Sequence, residues 1–326
     1  MSEVRVVARR PAGVRVVVER ALPMLYAEGA DLSTDRPAFV RAGSGATWFR
    51  GRLAVVQDDT AFIALVDPAT GMAHAVPLPV SDGVRQFGES RGNKARKADL
   101  ESVLTLPDGR LVAFGSGSTA ARERLLVWSE SDAPRWVAAP ALYAMLRAET
   151  RFSGSEINVE GATVFGASLR LFNRGNGAPR DGMAPRDATM DLPLEAFLAL
   201  LDEGFAGELH PGPTTPYDLG CIDGVPFGFT DGVAWPNRGR VAFSAAAEAS
   251  PDTFHDGACA GAAFGWIDAT GEAFLTPVTL ADGSPFNGKI EGLAFDEGDP
   301  TRVWAVVDAD DEAAPSVLCA LRLDGI

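Results

Sequence analysis

Glu101, Glu160, Asp231 and Glu291 stand in related surroundings, DLESVLTLPDG, NVEGATVFGAS, FTDGVAWPNRG and KIEGLAFDEG, separated by 59, 71 and 60 residues. In each, a carboxylate opens a short apolar run, where an unpaired charge is costly to bury. Carboxylates drawn together repel and raise one another's pKa unless a cation sits among them. A hard dication resolves that repulsion, most simply Ca²⁺, with Mg²⁺ or Mn²⁺ where water completes the shell. The alternative is architectural, each carboxylate accepting hydrogen bonds from backbone amides of a neighbouring segment. Both remain open, because Gly161, Gly232 and Gly292, each following its acid, let backbone approach closely for either purpose.

The elements that position these acids repeat with them. A weaker fifth copy, GSGATWFRGR, places Ser44 at the equivalent position, 57 residues before Glu101. After each opening come a turn and a second apolar run: RLAVVQDD, RLVAFGSGS, SLRLFNRGN, RVAFSAAAE and RVWAVVDADD. Third runs (AFIALVD, RLLVWSE, GAAFGWID, SVLCALRL) and fourth runs (MAHAVPL, RWVAAPA, AFLTPVTL) follow in most copies. These are strand-length, apolar and bounded by turn residues. The spacing predicts an all-β chain, a single β-propeller domain over 1–326 with four antiparallel strands per blade. Five blades are expected, or six if residues 1–40 hold further strands. The last copy ends after its third strand, so GVRVVVER from the N-terminal 1–40 segment is expected to close that blade. PLEAFLALLDEG and ALYAMLRAE have helical apolar spacing and are expected as inserted helices.

First strands of a propeller line its channel, so the four acids and Ser44 should face one another. The second strand runs antiparallel, which brings its end to the same face. Those ends are polar: Asp58 and Asp59, Ser116 and Ser118, Asn173 and Arg174, Glu248, Asp308, Asp310 and Asp311. The basic stretch RQFGESRGNKARKADLE enters a first strand and delivers Lys97 to that face, where Arg174 and Lys289 also fall. With Asn173 and Ser116 they are the candidate groups for binding a small, anionic substrate. Asp308 and His255 are the candidate proton acceptors, His255 because its charge changes near neutral pH. His74 and His210 read as incidental. No Gly-x-Ser-x-Gly elbow is present, against a serine hydrolase of that kind.

The chain has 326 residues, 46% of them hydrophobic, ample for a core, and a net charge of −15 that argues against nucleic acid or an anionic membrane as partner. The start has charged residues in every apolar run, and no stretch approaches the length of a membrane span. Three widely spaced cysteines form no CxxC pair. A cytoplasmic protein is expected.

NVEGAT and KIEGLAF resemble the Glu-Gly-Leu-Ala blade openings of bacterial phytase-like propellers, and DGVAWPNRGRVAFS resembles a strand of gluconolactonase-type and paraoxonase-type enzymes. The resemblance to these calcium-dependent β-propeller hydrolases covers the repeat from about Ser44 onward. It implies a metal in the channel, held by Glu101, Glu160, Asp231 and Glu291, and hydrolysis of an ester, lactone or phosphoester. Ser44 stands where that pattern has an acid, and the dense acidic cluster of true phytases is absent from the sequence. The rival expectation is a non-catalytic propeller that binds a protein, glycan or small ligand, its acids structural.

Overall fold

The computed structural model describes residues 5–203, 209–249 and 257–326. His255 lies outside the described residues.

The chain is all-β apart from short helical insertions. Unit 1 is an antiparallel sheet of Gly43–Phe49, Arg52–Gln57, Phe62–Val66 and Met72–Pro77. Unit 2 contains Leu100–Thr105, Leu111–Gly115, Arg124–Trp128 and Arg135–Ala138. Unit 3 contains Val159–Phe165, Ser168–Asn173, Asp187–Pro193 and Thr214–Asp218. Unit 4 contains Val225–Trp235, Arg240–Glu248, Cys259–Ile267 and Ala273–Thr279. Unit 5 contains Lys289–Phe295, Arg302–Asp308 and Val317–Asp324, with Arg15–Pro23 pairing antiparallel along Val317–Asp324 as its fourth strand.

Local chemistry sets the turns. In unit 1 the first two strands are joined by Arg50 and Gly51, with φ of 54° and 70°. A two-residue hairpin with both angles positive matches the strand twist, and glycine adopts it freely. Arg50 does not, and is held there by its guanidinium, which lies over the rings of Phe49 and Trp128 and donates to the Ser129 carbonyl at 3.0 Å.

The first strands pack in succession, unit 1 on 2, 2 on 3, 3 on 4, 4 on 5, and unit 5 on unit 1. The apolar core divides the same way into clusters shared by neighbours. Phe49, Ile63 and Leu78 of unit 1 meet Leu100, Val103 and Leu126 of unit 2. Trp304, Val306 and Leu318 of unit 5 meet Leu53, Val55 and Val66 of unit 1. Helices α1 (Pro140–Ala148), α2 (Thr150–Ser153) and α3 (Leu194–Glu203) lie within the two segments predicted as helical or adjoin them, and bury Leu142, Tyr143, Phe152 and Phe197 in the cluster between units 2 and 3. No helix among the described residues is long and apolar enough to cross a membrane.

The N-terminal segment runs along the outer edges of several units. Val6–Val7 pairs parallel with the last strand of unit 3. Arg9 bridges to Phe274 of unit 4, Val16 and Val17 pair with Val278 and Thr279, and Leu25–Tyr26 pairs with Met72 and Ala73 of unit 1.

Candidate functional site

Each first strand carries a β-bulge, near its start in units 1, 2, 3 and 5 and midway along it in unit 4. The ladder skips one residue, and the skipped residues are Ser44, Glu101, Glu160, Thr230 and Glu291. A bulge re-aims a side chain that regular pleating would hold in the sheet stack. In unit 4 the bulged residue is Thr230, one position before the acid that sequence comparison aligned. Asp231 is 2% exposed, and its two carboxylate oxygens accept from the amides of Gly232 and Leu293, both at 2.7 Å. It ties unit 4 to unit 5 and does not line the cavity described next; the expected ligand role for Asp231 is corrected to the architectural one. Ser44 and Thr230 act similarly, donating to the carbonyls of Leu100 and Ile290 in the following unit.

The other bulged residues, Glu101, Glu160 and Glu291, open on a cavity of about 450 Å³ lined, among the described residues, by twelve carboxylate and six cationic side chains. Asp58, Asp59, Arg174, Glu248, Asp308, Asp310 and Asp311, from the ends of second strands and just beyond, line it as well.

On one side, one oxygen from each of Asp58, Asp99 and Glu101 lies within 4.8 Å of the others. Lys97 joins two of them, its Nζ bonding Asp58 and lying 2.7 Å from Asp99 Oδ1. Arg122 Nη1 lies 2.7 Å from Asp99 Oδ2, which also accepts from Ser116 Oγ. Burial would raise the Asp99 carboxyl, but Lys97 and Arg122 outweigh it and hold the acid below its usual range. Glu101 behaves oppositely. Burial and the charges of Asp99, Glu160 and Asp58 push its pKa well above the usual carboxylate range. Lys97 stays protonated, the pull of burial being overcome by Asp58, Asp99 and Glu101.

On the other side, Lys289 Nζ lies 2.9 Å from Glu291 Oε1, 3.4 Å from Asp310 Oδ1 and 3.5 Å from Glu248 Oε2. Arg174 spans Glu248 at 2.6 Å and Glu160 at 3.5 Å, and Asn158 Nδ2 donates to Glu160 at 2.6 Å. Burial raises Glu291 to about 8, against the opposing charge of Lys289. Asp308 is pushed well above its usual range by burial and by Glu291, with Lys289 opposing and Asp310 and Asp58 adding.

The structure therefore brings Glu101, Glu160, Glu291, Asp308, Lys97, Lys289 and Arg174 to one cavity. Glu160 and Glu291 are committed to Arg174 and Lys289, so the expected four-acid ligand set is not assembled. Asn173 and Ser116 are fully buried behind the wall. Asn173 accepts from the Asn158 amide at 2.7 Å and donates to the Arg186 carbonyl at 2.8 Å, so both residues hold the site together without facing it. Arg91 and Arg96 of the basic stretch turn outward to Asp35 and Asp82.

Sequence reasoning missed Asp99, Asn158 and, on the first unit's side, Arg41, which pairs with Asp59. A signal existed for two of them. Asp99, Asn158 and Lys289 each stand two residues before a bulged glutamate, a polar position that recurs at the same place in the repeat.

Among solved structures the chain is similar to Myxococcus xanthus glutaminyl cyclase, at 10% identity over 98% of this chain and 99% of that one, with a TM-score of 0.45. It is similar to a member of the DUF4221 family from Bacteroides vulgatus, at 11% identity over 96% and 99% of the two chains, with a TM-score of 0.42. The periplasmic gluconolactonase of Pseudomonas aeruginosa matches at 13% identity over 87% and 73%, with a TM-score of 0.37. No curated protein matches the chain. The model of a family of unknown function, DUF6929, matches residues 39–323, and the chain belongs to that family.

Proposed function

We propose that the chain is a five-bladed β-propeller, closed by the pairing of Arg15–Pro23 with Val317–Asp324, and that its cavity hydrolyses an ester, lactone or phosphoester of a small polar molecule with the help of a divalent cation. The observation that carries this reading is the triad of Asp58, Asp99 and Glu101, whose oxygens lie within 4.8 Å of one another. These donors are all hard carboxylate oxygens, the set that suits Ca²⁺. Glu101 brings a carboxylate with no ion-pair or hydrogen-bond partner among the described residues, and carboxylates outnumber cations two to one around it. Lys97 already engages the other two acids, so an ion here shares the triad with an ammonium or displaces it.

A bound dication supplies polarisation of a substrate oxygen and a more acidic water. The chain's own residues supply the rest. Glu291, whose pKa burial raises to about 8 against the opposing charge of Lys289, is the candidate to give a proton to a departing alkoxide. Arg174, held by Glu160 and Glu248, fixes the floor against which a substrate rests. Elemental analysis of purified protein, melting with EDTA or added calcium, and a screen over lactones, aryl esters and phosphomonoesters test the reading. Bound metal, a melting temperature lowered by EDTA and turnover abolished in Glu101→Gln are expected. A metal-free protein that ignores both EDTA and calcium, and turns over none of these substrates, overturns it.

The hold of Lys97 on Asp58 and Asp99 favours a second reading, in which the internal ammonium stands where an ion would and the cavity binds a small molecule without transforming it. Ligand-dependent melting with no turnover is its signature.

A further inference from the structure

We infer that the ligand of this cavity presents a protonated amine, and not an anionic group, to Glu101 and Asp308. The inference rests on the reading of the cavity as a small-molecule site and names the charge of what enters it.

Every cation that lines the cavity among the described residues is paired with an acid. Lys97 holds Asp58 and Asp99, Arg122 holds Asp99, and Arg174 holds Glu160 and Glu248. Lys289 holds Glu291, Asp310 and Glu248, while Arg41 pairs with Asp59 and Lys94 with Glu89 at 3.4 Å. A carboxylate or phosphate entering here must break one of these pairs and add negative charge to a wall that already carries an excess. The groups left over are acids. Glu101 is half-buried, faces the cavity and has no hydrogen-bond or ion-pair partner among the described residues. Asp308 accepts from the Ala309 amide through Oδ1 at 2.8 Å, and its other oxygen has no donor among the described residues.

Local charge points the same way at both. Glu101 has Asp99, Glu160 and Asp58 around it against Lys97, and Asp308 has Glu291, Asp310 and Asp58 against Lys289. A primary ammonium offers three donors and no acceptor, which is what such a surplus of acceptors takes. Lys97 and Lys289 already show the geometry, each ammonium buried among acids. The ligand is polar, since Phe87 and Ala42 are the only apolar side chains among the described lining residues.

The test uses the full chain, stripped with EDTA, and three probes of matched length: 1,4-diaminobutane, 1,4-butanediol and succinate. Calorimetry is expected to give a diamine affinity at least about tenfold tighter than the diol, with no succinate binding. Glu101→Gln is expected to weaken the diamine roughly 10- to 100-fold, the loss of one charge-assisted hydrogen bond, without changing the diol. Should that variant fold poorly, Asp308→Asn reads the same loss, and a steep fall of diamine affinity with added salt reads it in the natural chain. Succinate binding more tightly than the diamine, or a diamine no better than the diol, overturns the inference. A calcium arm separates it from the hydrolase reading. Diamine binding without any response to calcium removes the metal and leaves the inference standing, whereas calcium binding without preference for the diamine does the reverse.

Discussion

Asp231→Ala separates an architectural acid from a cavity acid. The side chain is 2% exposed, and its oxygens accept two backbone amides at 2.7 Å, one from Gly232 and one from Leu293 across the junction of units 4 and 5. Removing it strands both N–H groups in the core, at about 1–3 kcal/mol each. Burial and the nearby charge of Glu160 make the ionised carboxylate itself costly, enough to hold its pKa well above the usual range despite the amides, and that cost vanishes with the side chain. The net expectation is a loss of about 3 kcal/mol, and about half as much for Asp231→Asn, which keeps one acceptor but turns an amide donor toward the other N–H. Urea denaturation measures it as a lower midpoint at constant slope. Calcium and diamine responses of the folded variant should match those of the natural chain, because Asp231 does not line the cavity. An Asp231→Ala protein of unchanged stability that has lost its response to calcium would refute the assignment and return this acid to the ligand set.

Lys97→Met leaves Asp58 without its cation and Asp99 with Arg122 alone; a destabilisation of about 3 kcal/mol is expected by urea denaturation, part of it recovered on adding calcium, the next cation able to serve the triad. Glu291 sets a pH trend. Its folded pKa of about 8 exceeds the unfolded value, so the folded chain holds a proton that the unfolded chain has lost, and stability falls as pH rises from the ordinary glutamate range to about 8, then levels; melting scans between those limits in EDTA should show it, with a shallower fall in Glu291→Gln. Truncation to begin at Val14 removes the pairing of Val6–Val7 with unit 3 and the Arg9 bridge to unit 4; melting is expected to fall by a few degrees, with diamine affinity unchanged, and an unchanged melting temperature would show that this segment fastens nothing.

Much of this arrangement was legible because period-two apolar runs and their turns recur, and because antiparallel pairing fixes where a second strand must end. That rule alone brought Asp58, Arg174, Glu248 and Asp308 to the face where the structure has them. The fourth unit misled for a definite physical reason. In units 1, 3 and 5 the bulged residue is followed by glycine, where the next first strand presses close; a Cβ on Gly161 would stand 2.7 Å from the Gly232 amide nitrogen. Sequence comparison therefore seeks an acid followed by glycine, and finds Asp231 and Gly232. The bulge sits one residue earlier, at Thr230, and a one-residue slip turns a side chain from one face to another. Asp99 was hidden differently. It holds a φ of 55°, and its cations arrive from a turn after the second strand and from the loop before the first. Such pairings depend on where loops return, which strand periodicity does not encode.

The chemistry of the cavity follows from what occupies the bulge. A short hydroxyl at Ser44 or Thr230 reaches the nearest carbonyl of the following unit and stops there, joining neighbouring units. A glutamate is too long for that bond, and from the same backbone position it extends into the cavity, where it needs a cation. Glu160 and Glu291 find theirs in Arg174 and Lys289, one supplied by a second strand's end and the other by the residue two places before the bulge. Lys97 bonds Asp58 and Asp99, and Glu101 is left without a partner among the described residues. Units 1 and 4 thus spend the bulge on assembly, while units 2, 3 and 5 spend it on the cavity. The asymmetry leaves one carboxylate beside Asp58 and Asp99, that of Glu101, without a partner among the described residues.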